Sequence, residues 1–239
     1  MAETDKIFEN VHKINKESDK NKQTLRVSIG TKAKISIGEF SRNGKCRTNK
    51  EIKALDHDMQ SQAKLIPFGI LDVVTGLVTF IFGTSVETSD FYVDCLILWW
   101  KGNKQRYEHI TELVINLDNG PDLASNRTQF IKRMVEFTDH IECRVRLIYY
   151  PPYHSKYNPI ERVWGILEVH WNGTLLDSVE KTLKWAASMI WKGLTPTVYL
   201  LSKTYQKGVS LVGQEKKRYE LYLDRSSNLP KWDVVIEPI

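Results

Sequence analysis

Hydrophobic positions along this chain change their period several times, and each change marks an element. Residues 1–22 are charged and poor in aromatics, with Phe8, Val11 and Ile14 as a weak stripe at helical spacing. That stretch predicts a short surface helix or a linker. Leu25 to Ile37 alternates, with Leu25, Val27 and Ile29 on one face and Ile35 and Ile37 following, the pattern of one strand or two. Phe40 to Asp58 loses all periodicity and reads as a loop. Leu65 to Ile81 is a pair of β-rich arms around Thr75-Gly76, a hairpin. A helix capped by Ser89 or Asp90 then runs to about Tyr107 on Val93, Leu96, Ile97 and Trp100.

Leu113 to Leu117 is almost continuously apolar, as a strand buried on both faces would be, and stops at the Asp118-Asn119-Gly120-Pro121 turn. Thr128 to His140 is a second helix. Arg144 to Tyr150 is a β-branched and aromatic strand, ended by Pro151-Pro152 because neither proline can donate to a ladder. Asn158 can cap the next helix, Pro159 suits its first turn, and Ile160, Val163, Trp164 and Leu167 form its apolar stripe. The remainder reads as α-rich: Leu176 to Lys192 is amphipathic, Tyr199 to Leu223 polar and helical, and Leu229 to Ile239 extended.

Strand, hairpin, helix, strand, helix, strand, helix predicts an α/β protein. Its mixed sheet joins an antiparallel three-strand unit to parallel strands, with helices covering it. The predicted division is a linker or surface helix over 1–24, a main domain over 25–192, and a helical C-terminal extension over 193–239. Composition adds little: 41% hydrophobic and 26% charged residues are ordinary for a globular protein. A net charge of +5 is compatible with a polyanionic partner. Cys46, Cys95 and Cys143 are too scattered for a zinc site or a disulfide framework, and reduced thiols are the simple reading. The most apolar window, Leu65 to Gly83, is interrupted by Asp72 and Thr75-Gly76, so no membrane span is expected.

Two acids stand at informative places. Asp118 ends a buried strand, where ligands gather in α/β sheets, although in Asp118-Asn119-Gly120 it is equally an ordinary turn former. Glu161 sits in a helical first turn, where a carboxylate also simply favours the unpaired N–H groups. The basic residues Arg42, Lys45, Arg47, Lys50 and Lys53 make Phe40–Asp58 either a solvated loop or a phosphate-contacting one.

The string Pro-Pro-Tyr-His-Ser-Lys-Tyr-Asn-Pro-Ile-Glu, residues 151–161, resembles the Pro-Pro-Tyr-Ser-Pro-x-x-Asn-Pro-Ile-Glu signature of mariner-type DDE transposases. The nearest resemblance is to bacterial insertion-sequence enzymes of the Rhodopirellula transposase type. Val-Ile-Asn-Leu-Asp-Asn-Gly-Pro, ending at Pro121, resembles the second motif of the same family. The resemblance implies an RNase H-like fold and a DNA strand transferase. Asp118 and Glu161 would be catalytic metal ligands for two Mg²⁺ or Mn²⁺ ions, held about 3.5–4 Å apart by carboxylates as such hard cations require.

One ligand is missing. Where the family reads Ser-Ile-Asp-Thr-Lys, this chain reads Ser28-Ile29-Gly30-Thr31-Lys32, and glycine cannot ligate. Glu39, Asp56, Asp58 and Asp72 are nearby acids outside the motif. The helix-turn-helix region that such enzymes carry also has no counterpart before Leu25, so an N-terminally truncated mobile-element protein is expected. By these expectations the copy is impaired, binding at most one metal ion weakly. The alternative is a non-catalytic remnant that binds DNA or an intact transposase. DNA is the expected partner, contacted by Lys32, Arg42, Lys45 and Arg47, with self-association possible through the resemblance. The expected location is the cytoplasm, at the nucleoid when DNA-bound. Gly30, Asp118 and Glu161 should converge in the fold.

Overall fold

The computed structural model describes residues 2–42, 44–45, 49, 53–55, 61 and 63–239. Of the residues singled out above, Cys46, Arg47, Lys50, Asp56 and Asp58 lie outside those described. The sheet is built outward from β1 (Thr24–Thr31). It pairs antiparallel with β3 (Ala63–Asp72), Gly30 opposite Gly69, and parallel with β5 (Glu112–Asp118), Ser28 opposite Asn116. β3 turns through Thr75-Gly76 into β4 (Val78–Gly83), and the short β2 (Ile35–Ile37) pairs with the beginning of β3. β5 pairs in parallel with β6 (Arg144–Tyr150). This is the expected mixed sheet.

The two faces of β1 differ in chemistry. Leu25, Val27 and Ile29 point into an apolar layer, in which Phe68 of β3 meets Phe91 and Tyr92 of α2 (Ser89–Tyr107). Helix α3 (Thr128–Ile141) packs on α2 and links β5 to β6, as a crossover between parallel strands must. Arg26, Ser28 and Gly30 point the other way, toward α1 (Glu3–Ser18) and α4 (Ile160–Trp171). Helix α4 buries Ile160, Val163, Trp164, Leu167 and Trp171, and Trp164 stacks on Phe80 of β4 at 4.8 Å. Helix α5 (Val179–Ser188) packs beside it.

Three local expectations need correction. Thr88, not Ser89 or Asp90, caps α2 by accepting from the Phe91 amide. Ser89 and Asp90 are engaged elsewhere: the Ser89 hydroxyl donates to the Asp122 carbonyl and Asp90 accepts from Gln129 and Arg133. At the N-terminus the buried stripe is Ile7, Val11 and Ile14, and Phe8 lies at its margin. The tail beyond residue 193 is also less helical than its polarity suggested. It contributes β7 (Thr197–Leu201) beside β4, β8 (Leu223–Arg225), and β9 (Asp233–Ile236) beside β6, while α6 is confined to Gly213–Glu220. Sheet edges waiting for partners override local helix propensity here. The order across the sheet is β7-β4-β3-β1-β5-β6-β9-β8. Among the described residues, no helix is long and apolar enough to cross a membrane.

Candidate functional site

Parallel pairing sets the ends of β1, β5 and β6 side by side. Ser28 is level with Asn116, so Gly30 and Asp118 stand two residues further along adjacent strands, and Asp118 is level with Tyr150. Helix α4 begins over this edge. A Cβ built on Gly30 would lie 3.6 Å from Glu161 Oε1 and 3.9 Å from Asn158 Nδ2. Gly30, Asp118 and Glu161 therefore converge, although each comes from a different element.

A buried polar staple holds α4 there. Ser28 Oγ donates to Asn158 Oδ1 and accepts from the Ile160 backbone N–H at 2.9 Å, while Asn158 Nδ2 donates to the Ile29 carbonyl at 2.8 Å. Both side chains are fully buried. Pro159 takes the cap position that the sequence suggests for Asn158, whose side chain is bonded across to β1. From that strand Ser28 satisfies one of the helix's orphan donors. The polar layer continues beneath it. Arg26 donates 2.9 Å to Asn116 Oδ1 and grips Asp19 with two 2.7 Å bonds, and Asn116 Nδ2 donates to Asn15 of α1.

Two glycines let α4 come so close. Gly30 and Gly69 are cross-strand partners. A Cβ at Gly30 would meet Ile160 Cγ2 at 2.9 Å, and one at Gly69 would meet the Trp164 ring at 2.6 Å. The position where a ligand would sit is thus partly filled by Ile160.

The two acids are electrostatically uncomfortable. Burial pushes the Asp118 carboxyl up to about 6, against the opposing hydrogen bond of Asn158, and its Oδ1 is buried without a hydrogen-bond partner. Burial also raises Glu161, the charge of Asp118 raises it further, and Lys32 opposes both. Such a pair suits a cation. Among the described residues, however, no three His, Cys, Asp or Glu side chains gather as a metal site. Glu87 and Asp122 line the same 310 Å³ cavity as Asp118, but Glu87 lies 3.5 Å from Lys34. Asp72 lies toward the far end of β3, where it accepts from the Val74 and Thr75 amides and from Tyr107.

The basic residues divide. Lys32 follows β1, pairs with Glu168 at 2.6 Å and reaches the field of Glu161. Arg42 donates to the Ser36 carbonyl and lies 5.6 Å over the Trp171 ring, so it helps anchor the loop. Lys45 is exposed. Sequence reasoning overlooked Ser28 as an anchor of the site; the signal was present in its place two residues before the vacated position.

A mixed sheet of this order, covered by helices, is an RNase H-like fold. The Rhodopirellula transposase DDE domain family model matches residues 1–238, and the chain belongs to that family. In structure the chain is similar to the Mos1 transposase paired-end complex with left transposon end, at a TM-score of 0.51 and 10% identity over 75% of this chain. It is likewise similar to the Mos1 mariner paired end complex with Mn, at a TM-score of 0.50 and 12% identity over 77% of this chain. These likenesses show the fold. The chain spans about half the length of those two Mos1 chains, 51% and 54%. A comparison with curated proteins finds no match.

Proposed function

We propose that this chain is a DNA strand-transferase catalytic domain whose site retains Asp118 and Glu161 as metal ligands and is silent as written because Gly30 supplies no third carboxylate. The single observation that carries the reading is the 3.6 Å separation between a Cβ built at Gly30 and Glu161 Oε1. An acid at that position would face the surviving pair. The unpartnered, desolvated Asp118 Oδ1 and the like-charged Glu161 fit one Mg²⁺ or Mn²⁺; the residues do not fit two. When bound, such ions activate the attacking oxygen and neutralise charge on the phosphate.

The chain's own residues hold the site in place. Ser28 and Asn158 fix the start of α4, and Lys32 offsets the negative field beside a substrate phosphate. The same vacancy favours a role in binding over one in catalysis, toward DNA or toward another transposase chain. With a net charge of +5, binding to DNA should be salt-sensitive and indifferent to sequence.

The test compares the chain, Gly30→Asp, and Gly30→Asp with Glu161→Gln in metal-dependent nicking of supercoiled DNA. We expect no nicking by the chain, slow nicking by Gly30→Asp, and none by the double variant. Because the new side chain crowds Ile160, Gly30→Asp should cost about 1–3 kcal/mol of stability without metal. Mn²⁺ should recover part of that loss. Robust nicking by the unaltered chain, abolished by Glu161→Gln, would mean that another acid has replaced the lost ligand and would overturn the silent-site reading.

A further inference from the structure

The loop joining β6 to α4 sets Tyr153 at the third position of a tight turn, closed by the His154 N–H donating to the Pro151 carbonyl at 3.2 Å with Pro152 at the second position. The Tyr153 φ is 64°, in the left-handed region that a bulky residue avoids, and its side chain is 102% exposed. Among the described residues it has no ring partner. The turn requires the left-handed conformation but not a tyrosine, since glycine is the usual residue there, and it carries the ring out into solvent.

What lies next to it narrows the choice. His154 and Tyr157 stack at 6.0 Å and 26°, and Phe8 of α1 braces both rings edge-on at 5.3 and 5.1 Å. His154 Nδ1 lies 2.7 Å from the Pro152 carbonyl, which fixes the ring. Lys156 reaches to 5.3 Å above Tyr157, and Arg162 is exposed on the first turn of α4. The loop leaves β6 directly after Tyr150, which is level with Asp118, and enters α4 directly before Glu161. An aromatic step with cations beside it, at the rim of a phosphate-handling edge, has the chemistry of a nucleotide.

We propose that Tyr153 is a stacking platform for an unpaired nucleobase at the end of the strand whose phosphate lies at the Asp118–Glu161 edge. The inference rests on the DNA reading above and adds a preference to it, for frayed or overhanging ends over blunt duplex. Stacking is indifferent to base identity because every base offers a π face, so the preference concerns structure and not sequence.

Fluorescence anisotropy of the full chain tests this, using one duplex sequence either blunt or with a three-nucleotide overhang at matched salt. The overhang should bind about fivefold tighter or more, the range of one stacked base. Tyr153→Ala should erase the preference and Tyr153→Phe should keep it. Tyr153→Gly should also erase it while raising Tm by roughly 2–4 °C, because glycine accepts the left-handed conformation freely. An equal affinity for both duplexes, or a preference that survives Tyr153→Ala, would overturn the platform and leave the DNA reading standing. So would a Tm lowered by Tyr153→Gly, which would make the ring a packing element. Self-association lost in Tyr153→Ala, with no overhang preference, would overturn it in favour of a protein interface. Binding to neither duplex would overturn both readings.

Discussion

Two aspartates in this domain meet burial in opposite ways. Asp94, on α2, is desolvated, yet its carboxyl is held below the usual range by hydrogen bonds from Lys203, Arg133 and Tyr205 at 2.7, 2.7 and 2.9 Å. Arg133 also donates to Asp90 at 2.9 Å, tying α3 to α2. Asp118, at the end of β5, is desolvated too, but burial wins there: its carboxyl rises to about 6 and Oδ1 has no partner. The first acid is completed by the fold and contributes to its stability. The second is left incomplete and costs stability, as the metal ligand of the proposed function would.

The largest effect that could break this contrast is on the completed side. Arg133→Ala would leave Asp90 and Asp94, whose side chains are 18% and 14% exposed, without their shared cation. Asp94 would keep Lys203 and Tyr205 and Asp90 would keep Gln129, but the two half-buried carboxylates would lose the cation between them, so urea unfolding should show a loss of about 2–4 kcal/mol. A loss below about 1 kcal/mol, the range of an exposed pair, would mean that the network is ornamental and the contrast empty.

Next comes the staple under the incomplete side. Ser28→Ala removes the acceptor of the Ile160 N–H and the donor to Asn158 Oδ1, both buried, and should cost about 1–3 kcal/mol. The loss should be local as well as global, with faster amide exchange at Ile160 and Glu161 than in the middle of α4. Uniform exchange along the helix would show that Ser28 does not anchor its start.

Much of this architecture is visible in the chain before folding. The alternation of Leu25, Val27 and Ile29, the apolar run Leu113–Leu117 and the Thr75-Gly76 hairpin each carry a local period, and each forms the expected strand. Convergence of Gly30, Asp118 and Glu161 was legible because the motif spacing matches a known family, not because any local pattern requires it. What was illegible depends on partners distant in sequence. Thr197–Leu201 becomes a strand because β4 offers an edge, and Asn158 abandons its cap because Ser28 and Ile29 stand across from it. Arg42 looks like a free phosphate contact in sequence, yet it binds Ser36 and covers Trp171.

The finest test sharpens the contrast at Asp118 itself, and its sign is opposite to the others. Asn fills nearly the same space as Asp and cannot ionise. The folded carboxyl, raised to about 6 from an ordinary 3.8, holds its proton where the unfolded chain releases it. Stability therefore falls as pH rises from about 4 to about 6, with no penalty below that window and the full penalty above it. Glu161, raised as well, adds in the same direction. Because Asp118 is only half-buried, solvent screening reduces the effect, and Asp118→Asn should gain about 1–2 kcal/mol at pH 8 and almost nothing near pH 4. Thermal unfolding across that range measures it directly. Mg²⁺ or Mn²⁺ at pH 8 should narrow the difference, since a cation beside the carboxylate stabilises only the charged parent. A variant less stable than the parent at every pH would show that Asp118 is completed by the fold after all, as Asp94 is.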